Sequence, residues 1–99
     1  MKREEFKNWL VNNYKNGKGM DIHAVESRVS NAQKVEDALG NLDKHYETDK
    51  LASVIAQLAY SARETRPLPK GIVIHGDFVT GMATLRQGVR RYIDFRESK

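Results

Sequence analysis

Apolar residues recur along this chain at spacings of three and four, the period of a helix that buries one face. Phe6, Trp9, Leu10 and Tyr14 form the first such stripe and predict a helix over residues 3–14. Asn12, Asn13, Asn16, Gly17 and Gly19 end it, because asparagine and glycine accept the left-handed backbone that closes a helix. A second helix is expected over 21–39, opened by Asp21 as N-cap and stopped by Gly40. Its inward stripe is Ile22, Val25, Val29, Ala32, Val35 or Glu36, and Leu39. The polar stretch "NLDKHYETDK" reads as a turn or short helical piece anchored by Leu42 and Tyr46, and a third helix over 48–63 buries Leu51, Val54, Ile55, Leu58 and Ala62. Pro67 and Pro69 lack amide donors and push their neighbours toward extended backbone, so a loop follows. With no second β-rich run to pair with, Ile72, Val73 and Ile74 are expected to pack as an extended segment over the helices. The last helix, over 77–97, opens at Asp77 or Thr80 and turns Phe78, Met82, Leu85, Val89, Tyr92 and Ile93 inward. Gly88 leaves its side of that helix bare for close approach by a neighbour.

These stripes predict one all-α domain over residues 1–99, a compact bundle of four to five helices. At 99 residues and 39% hydrophobic content, the chain can fill one small core. The absence of cysteine excludes a disulfide framework and thiolate chemistry, and fits a reducing compartment. No apolar run is long enough to span a bilayer, and the acidic residues in "MKREEFKNWL" do not suit a secretory signal, so the expected setting is the cytoplasm, away from membranes.

Charge adds a possible partner class. The net charge is +4, with residues 1–20 and 51–99 basic and residues 21–50 acidic. A basic surface draws polyanions by Coulomb attraction and counterion release, which brings nucleic acid into view. Arg86 and Arg90 are one helical turn apart and Arg91 lies beside them, although Asp94 can pair with Arg90 or Arg91. In the second helix, Ser27, Arg28, Ser30, Asn31 and Lys34 make a polar, basic face able to bond phosphates or base edges. Catalytic machinery is not expected. His23, His45 and His75 lack metal-ligand spacing, "HGD" has no nucleophile beside it, and the glycines form neither a P-loop nor a dinucleotide fingerprint. No metal or cofactor is called for.

Taken in order, "EEFKNWL", "SRVSNAQKVED", "LDKHYETD", "LAYSARE" and "LRQGVRRYIDF" resemble the helical module that precedes the catalytic domains of HNH-type and restriction-type endonucleases, over nearly the whole chain. More distantly, the sequence is similar to the SAM-like core-binding domain of tyrosine recombinases. The resemblance implies a helical domain that grips DNA while another domain cuts it. It places Arg28, Ser30, Asn31 and Lys34, where "SRVSNAQK" fits, and Arg86, Arg90 and Arg91, where the terminal helix fits, as DNA contacts. No catalytic domain follows Lys99, so the expectation is a non-catalytic DNA-binding or DNA-associated domain that works with a nuclease. The alternative is a protein-interaction module, such as a phage or mobile-element factor that binds a host protein through the apolar patch at Ile72, Val73 and Ile74.

Overall fold

The computed structural model describes residues 1–61 and 67–98. In chain order the helices are α1 (Arg3–Asn12), α2 (Tyr14–Gly17), α3 (Ile22–Leu39), α4 (Leu42–Asp49), α5 (Ala52–Leu58) and α6 (Phe78–Glu97), with no strand among the described residues. The fold is an all-α bundle, as its hydrophobic periodicity requires.

Side-chain caps begin the two long helices. Asp21 Oδ2 accepts the His23 amide at 3.1 Å, and Asp77 Oδ2 accepts both the Thr80 amide at 3.0 Å and the Thr80 hydroxyl at 2.6 Å. Each carboxylate satisfies an amide that the first turn leaves without a partner. Gly40, at φ +103°, ends α3 in a conformation that strains any side chain.

The expected helix over 48–63 is broken in the structure. Asp49 ends α4, and Lys50 and Leu51 both take left-handed backbone, at φ +57° and +68°. Their amides return to the carbonyls of Tyr46 and His45, closing α4, while Asp49 Oδ2 accepts the Ser53 amide at 3.0 Å and so starts α5. Leu51, Val54 and Leu58 are buried as the stripe predicts, with Ile55 half-buried. α5 stops at Leu58, where Ala59 turns to extended backbone, and the expected burial of Ala62 lies outside the described residues. The first expected helix is likewise interrupted, at Asn13.

α6 runs back along α3, and the two form the centre of the bundle. Gly88 faces the backbone of Arg28 and Ala32, while Gly81 and Thr84 share a cleft with Lys34 and Asp37 further along. α1 packs on α3 and α6, and α4 and α5 close the other side. Phe6, Leu10, Val25, Val35, Leu42, Val54, Met82, Val89 and Tyr92 are fully buried. Each such side chain contributes roughly 1.5–3 kcal/mol over its exposed state. The Phe6 ring meets Tyr92 edge-on at 5.0 Å and Phe95 at 5.6 Å.

Several expected inward residues are not fully buried. Ile22 and Phe78, at the first positions of α3 and α6, are 45% and 42% exposed, the Phe78 ring standing edge-on to Tyr60 at 6.2 Å. Phe95 joins the core at the other end of α6, and Ile93 is half-buried. Trp9 is half-buried at the rim of the core, its ring 5.8 Å from Tyr14 and 6.0 Å from Phe95.

A polar network stitches α4 to α6 and the first residues of the chain. The Tyr92 hydroxyl accepts the Lys2 amide at 2.9 Å and donates to Asp43 Oδ1 at 2.6 Å, and Arg96 donates to the same carboxylate. The Met1 ammonium lies 2.6 Å from Glu36 and 3.3 Å from Asp43. Burial works to raise the pKa of Asp43, but hydrogen bonds from Tyr92 and Arg96 and the nearby ammonium outweigh it, so the carboxyl titrates below its ordinary range.

Candidate nucleic-acid interface

The structure distributes the seven predicted contact residues over separate faces. Helical geometry fixes the division, because α3 and α6 each bury one side against the other and expose two flanks.

Arg86 and Arg90 share the flank of α6 that faces α5. Arg86 is half-buried, and its Nη1 donates to the Leu58 carbonyl at 2.6 Å, satisfying an acceptor that the end of α5 would leave open. That bond fixes the guanidinium while its other donors remain for an external acceptor. Arg90 is exposed and has no hydrogen-bond or ion-pair partner among the described residues. The two arginines line a hollow of about 440 Å³ with Ile55, Ala59, Tyr60 and Ser61. It continues along α6 past Ala83 and Gln87. Among the described residues no carboxylate lines either part. A groove of this kind offers fixed N–H donors to phosphate oxygens beside an apolar and aromatic wall. The wall residues Ile55 and Tyr60 were absent from the sequence-based candidates. Tyr60 stands just past the end of α5, where it continues no helical stripe, so periodicity gave no signal for it.

Arg91 is committed within the fold. Its Nη1 donates to the Tyr14 hydroxyl at 2.6 Å, its guanidinium lies 5.5 Å from the Tyr14 ring centre, and its Nε is 3.3 Å from Asp94. The helical spacing of Arg91 and Asp94 was legible in the sequence. The Tyr14 contact, from a distant segment, was not.

The four α3 residues do not join the arginine groove. Asn31 is only 8% exposed, because the bare backbone of Gly88 lets α6 close over it. Lys34 is exposed on the opposite flank, lining a cleft with Asn31, Thr84 and His75. Ser30 faces α1, beside Arg3, Glu4, Lys7 and Glu26, where both signs of charge mix. Arg28 is half-buried next to the crossing with α6.

Among the described residues no three His, Asp or Glu side chains are grouped to hold a metal ion. His45 Nε2 lies 2.8 Å from the Leu39 carbonyl, and His23 and His75 are exposed. No described helix is long and apolar enough to cross a membrane. Comparison of the chain with protein-family models, with curated proteins and with solved structures returned no match.

Proposed function

We propose that the chain is a non-catalytic DNA-binding domain whose contact surface is the groove between α5 and α6. The observation that carries this reading is the pairing of Arg86 and Arg90 in a hollow that no carboxylate lines among the described residues, one guanidinium held by the Leu58 carbonyl and the other without a partner among those residues. Arginine presents several donors in a planar fork that matches phosphate, and Tyr60 supplies a ring against which a sugar or base can rest. The resemblance of the chain to the helical module beside endonuclease domains supports the same reading, with a nuclease partner supplying the chemistry. In this proposal Arg86 and Arg90 carry the contact. Arg91 shapes the fold through Tyr14, and Asn31, buried under α6, reads no base.

Fluorescence anisotropy of labelled mixed-sequence duplex, titrated with the chain over a series of salt concentrations, tests the proposal. Binding at low salt is expected to weaken with a logarithmic slope of about −0.9 for each phosphate neutralised. Absence of binding at low salt, to duplex and to single strand alike, would end it.

A further inference from the structure

The flank of α6 opposite the arginine groove holds a cleft of about 570 Å³ between α3, α6 and residues 71–75. Asn31 lines it. This residue is 8% exposed, and its side-chain amide has no hydrogen-bond partner among the described residues. Buried amides are ordinarily paired, because desolvation without a bond is unfavourable. Among the described residues, Asp49 Oδ1 and Arg91 Nε are the side-chain atoms sealed off without a hydrogen bond, so the Asn31 amide keeps an opening, and the cleft is where it opens. One donor and one acceptor therefore face the same hollow.

The far wall of the cleft is a second set of unused bonding groups. The Ile72 amide reaches the Pro69 carbonyl at 3.0 Å, but the amides of Val73, Ile74 and His75 have no partner among the described residues. The segment is anchored by Ile72, which is buried, and by Ile74, which occupies the space left by Gly81 on α6. Val73 is 74% exposed. Below lie Ile74 and Leu85, both aliphatic, and the cleft is also lined by exposed Lys34, which has no ion-pair partner among the described residues, and by exposed Asp37, whose carboxylate accepts from Gln33 at 2.9 Å.

We infer that this cleft binds an extended peptide segment of a partner protein. Its main chain would bond to the open backbone of residues 73–75 and to the Asn31 amide, whose donor and acceptor match those of a peptide unit. An aliphatic side chain would rest on Ile74 and Leu85, and an acidic residue would meet Lys34. Recognition of a peptide through its main chain, with pockets for side chains giving specificity, is an established mode of binding. The walls favour a peptide over a nucleobase, because no aromatic ring other than the exposed His75 lines the cleft to stack on a base. The inference is independent of the DNA reading, since it concerns the other flank of α6.

Short random-sequence peptides displayed on phage and selected against the intact chain supply the probe. A synthetic copy of the enriched sequence is then titrated by calorimetry and by amide-resolved NMR. The expected sequence alternates apolar residues and carries an acidic one, and its binding shifts the amides of residues 73–75. Asn31→Ala is expected to weaken it roughly five- to tenfold, the effect of losing one or two hydrogen bonds. Lys34→Glu is expected to weaken it as well. Asn31→Ala keeps the Cβ that packs on Gly88 and removes only an unpaired amide, so its melting temperature should match the parent. Failure to enrich any sequence, equal affinity for a folded Asn31→Ala, or shifts confined to another face would overturn the inference.

Discussion

Gly88→Ala measures how closely α3 and α6 approach. A Cβ at this position would come within 2.9 Å of the Ala32 nitrogen, the Arg28 carbonyl oxygen and the Asn31 Cβ, where ordinary contact begins near 3.4 Å. Two of the three atoms are backbone and cannot rotate away, so α6 must lift from α3 along a shared core that includes Val29, Leu85 and Val89. Overpacking of this kind destabilises by about 1–3 kcal/mol, and a rigid backbone neighbour puts Gly88 at the upper end. Alanine recovers about 1 kcal/mol of helix propensity. The net expectation is a loss of about 1–2 kcal/mol. In a domain of this size that lowers the melting temperature by roughly 4–16 °C, using about 4–8 °C per kcal/mol. Circular dichroism melts and urea titrations of Gly88→Ala would be compared with Gln87→Ala, an exposed neighbour whose change should stay within about 0.5 kcal/mol. A Gly88→Ala protein as stable as the parent, or more stable, would mean that propensity alone acts there and that the close crossing is wrong.

Three further changes probe other parts of the fold. Phe6→Ala should destabilise by about 3–5 kcal/mol and Trp9→Ala by about half as much, since Phe6 is fully buried and Trp9 sits at the rim; denaturant titrations reporting the reverse order would move Trp9 into the core. Asp43 has a depressed pKa in the folded chain, so its stabilisation is present above the unfolded value of about 3.9 and is lost as pH falls through the folded value. Tyr92→Phe removes one of the bonds that lower that pKa, so it should cost about 1–2 kcal/mol at neutral pH and start acid unfolding at higher pH, which urea titrations across a pH series would detect. Lys50→Gly should stabilise by up to about 1 kcal/mol in thermal melts, because Lys50 is exposed and holds a left-handed backbone that glycine adopts freely.

The sequence made α3 and α6 legible because both ends of each carry a local signal. Asp21, Gly40 and Asp77 act through neighbours a few residues away, and the stripes between them report burial directly. The break at Lys50 and Leu51 was hidden for the opposite reason. No glycine or proline marks it, and Leu51, Val54 and Leu58 keep a helical spacing whether or not α4 and α5 are continuous. The candidate site divides along the same line. Arg86 and Arg90 share a face through helical spacing alone, so their neighbourhood could be read from sequence. Asn31 belongs by spacing to the polar face of α3, and only the approach of α6 at Gly88 buries it. Beyond the legible Arg91–Asp94 pair, Arg91 and Arg96 bond to Tyr14 and Asp43, on segments far away in the chain, where periodicity carries no information.

The central claim is that one flank of α6 holds nucleic acid and the other does not. Arg90→Glu and Lys34→Glu make the same charge change at exposed positions, without ion-pair partners among the described residues, on opposite flanks. Anisotropy titrations of both variants on one duplex, over a common salt series and with circular dichroism confirming the fold, separate a located contact from diffuse attraction to a basic chain. The account predicts that Arg90→Glu weakens binding strongly and reduces the salt slope by about 0.9 or more, while Lys34→Glu leaves the slope near that of the parent. Equal losses in the two variants, or no loss in Arg90→Glu, would contradict it.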